Sequence, residues 1–243
     1  MSRGKDMKSF KSEKDFLKNY HIHDYDIPLA TVDLCIFSIV DQSLKVLLVN
    51  RVAYPFKDRW ALPGGFVDVD RDPDLEATAT RKLAEKTGVK TPYVEQVETI
   101  GNKTRDPRGW SMTVLYFALL AHSSAKTGDT ERVRWVSLAE AEKMDLAFDH
   151  LELLNKGIER LRSKVSYSTL PIHILPEEFT LAELQKAYEV IMGRDVDKKA
   201  FRRRIDAADL LIETGEMRQD GGRPAKLYSI RQGANIHFYN RSI

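Results

Sequence analysis

Apolar and polar positions alternate in two different periods along the chain, and the periods divide it. From Ala30 the run A-T-V-D-L-C-I-F-S-I-V is β-branched and apolar, which predicts a buried strand. D-Q-S follows as a turn and K-V-L-L-V-N-R as a second strand, so the two form a hairpin. A-L-P-G-G-F-V carries Pro and Gly and predicts a tight loop. D-L-E-A-T-A-T-R-K-L-A-E-K-T-G changes to helical spacing, with Leu75, Ala79, Leu83 and Ala84 in one stripe and Gly88 where a helix C-terminus favours a left-handed residue. V-E-Q-V-E-T-I-G, M-T-V-L-Y-F-A-L-L-A and V-R-W-V-S-L predict further strands. A-E-A-E-K-M and L-E-L-L-N-K-G-I-E-R-L-R predict helices. This mixture predicts an α/β or α+β domain ending near residue 163.

Residues 164–178 hold two prolines and no sustained period, which predicts a linker. A smaller unit follows over 179–243. T-L-A-E at 180–183 forms a capping box, in which the Thr180 hydroxyl accepts a backbone N–H and Glu183 reaches back. The helix it starts runs to about Met192, where Gly193 stops it. Asp197 caps K-K-A-F-R-R-R-I-D-A-A-D-L-L, with Phe201, Ile205, Ala208 and Leu211 facing inward. Two extended segments then flank D-G-G, a hairpin signal. Helix, turn, helix and hairpin is the order of a winged helix-turn-helix. The first 24 residues are lysine-rich and weakly patterned. They form an arm that is either frayed or a short amphipathic helix, with Phe10, Phe16 and Leu17 spaced for one.

Bulk composition narrows little. Hydrophobic content of 42% and charged content of 30% suit a folded chain, and a net charge of +2 demands no nucleic acid, so any such partner must be argued from where charges stand. The single cysteine, Cys35, lies inside the first strand and predicts a buried side chain; it excludes an intramolecular disulfide. No apolar run approaches the ~18 residues a bilayer needs, and the first residues lack a secretory core, so a cytoplasmic protein without a membrane partner is expected. None of the six histidines has metal-ligand spacing with a carboxylate.

Placement of charge changes the picture. Five of the seven residues 198–204 are basic: Lys198, Lys199, Arg202, Arg203 and Arg204. They stand at the N-terminal end of the second helix, where the helix dipole disfavours cations and where a recognition helix enters the major groove. The hairpin tip D-G-G-R-P-A-K adds Arg223 and Lys226 as wing contacts to DNA. A solvated basic face that binds protein is the competing reading, and a steep dependence on salt would separate the two.

In the first domain, L-P-G-G-F-V followed by R-K-L-A-E-K-T-G-V resembles the Nudix box, G-x5-E-x7-R-E-U-x-E-E-x-G-U with U aliphatic. Gly65 matches the first glycine, Arg81 the arginine, Leu83 the aliphatic residue, Glu85 one glutamate, and Gly88-Val89 the end. Three carboxylate positions depart from it: about two residues are inserted after Gly65, the first glutamate falls at Pro73, and Lys82 and Lys86 replace the others. Hard divalent cations need several oxygen ligands, so no metal site and no metal-dependent hydrolysis are expected. Asp68, Asp70, Asp72 and Glu76, in or beside the loop, are the acids that would have to substitute.

A pocket without catalysis can still bind, with lysines taking the place of metal ions beside phosphate oxygens. R-D-P-R-G-W, residues 105–110, resembles a segment of Nudix proteins related to ADP-ribose pyrophosphatases, and its arginines suit bidentate contact with a diphosphate. The expected effector site comprises Arg51, Arg59, Gly64, Gly65, Arg81, Glu85, Arg105, Asp106 and Arg108, with Phe56, Trp60 and Trp110 available to stack on a base. Taken together, from about residue 28 to 230 and including L-A-F-D-H at 146–150, the chain resembles the Nudix-related transcriptional regulators of NAD metabolism, the NrtR type. That resemblance implies an α+β fold, with a Nudix-like mixed-sheet α/β/α domain over 25–163 and the winged helix behind it. It further implies a repressor that binds palindromic operator DNA as a homodimer and takes ADP-ribose or a related nucleotide as effector, with no cofactor required. The alternative is an active Mg-dependent ADP-ribose pyrophosphatase with an appended winged helix.

Overall fold

The computed structural model describes residues 10–89, 93–121, 123, 131–219 and 224–239. Its centre is β1 (Leu29–Val40), paired antiparallel with β2 (Ser43–Asn50) and parallel with β6 (Ser111–Leu119) from Leu29↔Ser111 to Phe37↔Leu119. Outside β6 lies β5 (Tyr93–Asn102), and outside β2 lies β3 (Trp60–Ala61). Two further strands, β4 (Gly64–Phe66) on β1 and β7 (Val133–Ser137) on β2, complete a mixed sheet of seven.

Both faces of this sheet are covered, which is why β1 reads as apolar throughout instead of alternating. Even-numbered residues Val32, Leu34 and Ile36 pack toward α2 (Leu75–Thr87), against Ala79 and Leu83. The odd-numbered Cys35 and Phe37 pack toward α4 (His150–Ser166), against Leu153, Leu154, Ile158 and Leu161. A Cβ added at Gly157 of α4 would lie 2.6 Å from the Cys35 sulfur, so this glycine lets the helix approach the strand. Cys35 is fully buried, and burial raises its thiol pKa well above the ordinary range.

Local differences from the sequence reading have local causes. A-L-P-G-G-F-V is not a bare loop: Gly64 pairs with Asp33, which draws the segment into β3 and β4. On α2 the buried stripe is Thr78, Ala79, Leu83 and Thr87, whereas Leu75 is 37% exposed. Burial of Thr87 is tolerated because its hydroxyl donates to the Leu83 carbonyl at 3.0 Å. The α3 helix (Leu138–Ala141) is a single turn. Residues Glu13–Asn19 form α1 with Ser12 as its cap; none of its residues is buried.

The expected linker is a correction. Helix α4 continues through Ser166, and Leu170–Ile174 form a 3-10 turn with Leu170, Ile172 and Ile174 buried. Pro171 stands at the start of that turn, where a missing N–H is harmless. These residues share one core with α4 and with Leu184, Ala187, Tyr188 and Ile191 of α5 (Leu181–Met192). The two domains are therefore joined by packed structure.

The second unit follows its sequence closely. Thr180 and Glu183 form the capping box, and Gly193 ends α5 at φ 67°. Asp197 accepts from the Ala200 N–H at 2.8 Å and starts α6 (Lys198–Ala208). This helix stops three residues before Leu211, because Asp209 takes a left-handed conformation and Leu210, not Leu211, fills the buried place. Strands β8 (Leu211–Arg218) and β9 (Ala225–Ile230) form the antiparallel wing, and Phe179 pairs with Tyr228 on its outer side. Arg223 at the tip lies outside the described residues. Among those described, no helix is long and apolar enough to cross a membrane.

Candidate functional site

A cavity of about 370 Å³, within the range of small-ligand sites, opens at one end of the mixed sheet. The turn after β2, the β3–β4 segment, Arg105, Asp106 and Arg108 of the next turn, and Phe148 and His150 wall it. Of the effector residues expected from sequence, Arg51, Gly64, Gly65, Arg105, Asp106 and Arg108 line it. Arg59, Arg81 and Glu85 do not: Arg59 pairs with Asp145 at 2.8 Å and sits over Phe56.

The wall is set by L-A-F-D-H. The Ala147 N–H donates to the Trp60 carbonyl at 2.8 Å, and the Leu62 N–H donates to His150 Nδ1 at 2.9 Å. Between these anchors Phe148 is held at φ 55°, a conformation that costs energy for a bulky residue and persists only when its surroundings enforce it. Its ring meets the Arg51 guanidinium at 4.6 Å and packs on Phe56 at 4.7 Å. The next residue, Asp149, accepts two bonds from Arg105, at 3.0 and 3.1 Å. Arg105 also reaches Ser111 at 3.3 Å and Asp33 at 3.5 Å, and only 8% of it is exposed. With its donors committed to protein acceptors, it holds the wall in place.

Arg51, Arg108 and Arg132 also line the cavity, and Arg51 donates from Nε to the Pro55 carbonyl at 2.9 Å. Arg108 pairs with Asp106 at 2.7 Å, lies 5.1 Å over Phe66 and keeps 40% of its side chain exposed. That partner holds the Asp106 carboxyl below its usual range. Burial and, after it, the charge of Arg108 push the Arg51 pKa down, although a guanidinium stays protonated. An anion between the two would relieve their repulsion and accept from both. Gly64 allows a close backbone approach here, since a Cβ on it would lie 2.3 Å from Asp33 Oδ1. Phe66 and Phe148 are the aromatic rings that line the cavity. Trp60 is covered by Arg134 at 4.3 Å, and Trp110 is half exposed outside the cavity. Sequence reading did not assign Phe66, Asp33 or Arg132 to the cavity, and it cited Phe148 and His150 only within L-A-F-D-H.

At the helix that would hold a metal in a Nudix hydrolase, the carboxylates of Asp72 and Glu85 are paired with cations. Arg81 grips Asp72 through Nε at 2.7 Å and Nη2 at 2.5 Å, and Asp72 also accepts from Thr78 at 2.9 Å and from the Asp68 N–H at 3.1 Å. This leaves Asp72 no free oxygen, and its carboxyl is held far below the usual range, chiefly by Arg81. Glu85 is bound by Arg81 at 3.0 Å and lies 3.7 Å from the Lys82 ammonium. The Lys82 stem lies over Gly65, and Lys86 reaches the cavity. Among the described residues no three His, Cys, Asp or Glu side chains come together as a metal-holding group.

At the other end of the chain, α6 presents Lys198, Lys199, Arg202 and Arg203 to solvent while Phe201 and Ile205 face the core. Arg204 is half-buried, with its guanidinium 5.3 Å from the Tyr239 ring. On the wing Lys226 is exposed and pairs with Glu213 at 2.8 Å.

Comparison with known proteins matches this division. The NUDIX domain matches residues 30–156, and the NrtR DNA-binding winged helix domain matches residues 171–230. A relative from Acinetobacter baylyi, described as an ADPR responsive transcriptional repressor NtrR, is 50% identical over 222 residues, 90% of this chain and 89% of its own. The chain belongs to the NrtR family.

Within that family, the Shewanella oneidensis NrtR complexed with a 27mer DNA superposes with a TM-score of 0.82 at 47% identity, covering 88% of this chain and 99% of its own. The NUDIX domain of the same NrtR complexed with ADP ribose superposes at 0.57 with 47% identity, covering 62% and 99%. An ADP-ribose pyrophosphatase from Methanocaldococcus jannaschii is 30% identical over 148 residues, 58% of this chain and 79% of its own.

His150 gives the site a pH signature. It is fully buried, which pushes its pKa below the ordinary ~6.5. Its Nδ1 already accepts from Leu62, so the ring is neutral in the fold. Above pH ~6.5 neither folded nor unfolded chain binds this proton and the stability is complete. As pH falls below that value the unfolded chain binds the proton first, and stability declines by up to about 1.4 kcal/mol per pH unit for the group. Urea unfolding at pH 7.5 and 5.5 should show a smaller loss in His150→Gln than in the wild type. The shared remainder includes His173, whose pKa burial also lowers.

Proposed function

We propose that this protein is a DNA-binding transcriptional repressor whose Nudix-like domain senses ADP-ribose without hydrolysing it. The observation that carries the reading is that the cavity presents Arg51, Arg108 and Lys86 in a chain whose α6 exposes four further cations. Such a pocket neutralises a diphosphate with fixed side-chain charge, the task that Mg²⁺ performs in a hydrolase. The diphosphate lies between Arg51 and Arg108, the base stacks on Phe148 or Phe66, and Lys86 reaches a phosphate oxygen. No metal is required for this mode of binding. Regulation then needs only that ADP-ribose bind one arrangement of the winged helices more tightly than another. A homodimer placing two α6 helices on a palindromic operator would read half-sites one or more helical turns apart. The family resemblance adds genes of NAD metabolism as its targets and the cytoplasm as its place of action.

The competing reading is a hydrolase, and one assay separates them. Purified protein is incubated with ADP-ribose and Mg²⁺ while binding and AMP release are followed together. Saturable binding with no AMP is expected; turnover at ordinary enzyme rates would reject the sensor.

On the DNA side, Arg203→Ala should weaken binding about equally across sequences if Arg203 contacts phosphate. The slope of log affinity against log salt should then fall by about 1. An unchanged slope and affinity would remove Arg203 from the interface.

A further inference from the structure

Three features that the functional reading does not use meet at one place. The first is Arg204, which carries one of the five charges expected to face DNA but is turned inward under Tyr239. The second is the C-terminal segment His237–Tyr239, which leaves the wing and returns to the joint between the domains. There the Thr169 N–H donates to the His237 carbonyl at 3.0 Å, the His237 N–H donates to Thr169 Oγ1 at 2.9 Å, and the Tyr239 N–H donates to the Tyr167 carbonyl at 2.7 Å. Third, the Tyr188 hydroxyl of α5 donates to the Ser168 carbonyl at 2.7 Å, deep in the core.

The joint these groups clamp is the C-terminal end of α4. At its other end α4 begins with His150 and is preceded by Phe148, both of which line the effector cavity. Its 17 residues span about 25 Å as one rigid element. Arg162, one turn before its end, donates to the Ile191 carbonyl at the end of α5 at 3.1 Å. A displacement of the cavity wall thus has a stiff path to residues 167–169, and the C-terminal segment connects those residues to the side of α6 opposite its exposed cations.

We propose that His237–Tyr239 is the clasp that transmits the state of the effector cavity to the recognition helix, with Tyr239 and Arg204 as positioning residues rather than DNA contacts. The coupling part of this proposal rests on the repressor reading above. The mechanical part, that Tyr239 fixes α6, does not.

The test uses the full-length protein, Tyr239→Ala and Tyr239→Phe, with two readouts. The first is hydrogen exchange of the α6 amides in the free protein. Tyr239→Ala should exchange them faster, and Tyr239→Phe, which keeps the ring over Arg204, should match the wild type. Unchanged exchange in Tyr239→Ala overturns the clasp, whatever the protein's function. The second is the ratio of operator affinities with and without saturating ADP-ribose, a factor typically of about 5 to 150 for coupled sites. In Tyr239→Ala this factor should fall toward 1 while ADP-ribose affinity stays as in the wild type. A wild-type factor retained in Tyr239→Ala overturns the clasp. A factor of 1 in the wild type instead defeats the repressor reading, and the exchange readout still decides whether Tyr239 holds α6.

Discussion

Replacing Asp149 with alanine is expected to destabilise the protein by about 3–5 kcal/mol, the range for removing one partner of a buried ion pair. The Arg105 side chain is 5% exposed, and Asp149 supplies its two shorter carboxylate bonds, leaving Ser111 at 3.3 Å and Asp33 at 3.5 Å. Loss of a helix cap does not account for the effect, because the Asp149 side chain makes no capping bond to α4. Asp149→Asn retains an acceptor and should cost less than the alanine. Urea unfolding gives the comparison, and a loss below about 1 kcal/mol would mean that Asp33 suffices to hold Arg105. The substitution should also weaken ADP-ribose binding, since the same pair sets the wall on which Phe148 is held.

Removing both Arg51 and Arg108 should abolish the response to ADP-ribose while leaving the DNA affinity in place, although loss of the Arg108 partner of buried Asp106 lowers stability as well. Each guanidinium faces the cavity and can make charge-assisted bonds worth about 1.5–3 kcal/mol. The double alanine variant should therefore bind ADP-ribose about 10²- to 10⁴-fold more weakly, provided the two act independently. Calorimetry measures the affinity. Arg51→Lys and Arg108→Lys should recover only part of it, because an ammonium cannot make two parallel bonds to a diphosphate. Wild-type affinity in the double variant would move the anion site elsewhere.

Much of the architecture was legible because local rules and packing agree. The run A-T-V-D-L-C-I-F-S-I-V, the Thr180–Glu183 capping box, Gly193 and the Asp197 cap each specify an element without help from distant residues. The effector wall was not legible in that way. Arg105 meets a partner 44 residues away and Arg81 one nine residues back, so a count of arginines in a motif cannot say which of them is already committed. Phe148 reaches the cavity through a left-handed backbone that no sequence period announces. Residues 164–178 show the reverse failure: their prolines read as a linker, while Leu170, Ile172 and Ile174 were available to be buried. Arg204 could have been placed. It lies three residues after Phe201 and four before Ala208, on the flank of the inward face, and reading 198–204 as one block of charge concealed it.

The most direct measurement is the affinity of the protein for an operator duplex, selected by the protein from random DNA, titrated with ADP-ribose at fixed salt. The account predicts a saturable change of at least several-fold, reaching its plateau at the concentration that fills the Arg51–Arg108 cavity. An operator affinity that is the same with the cavity empty and full would contradict it.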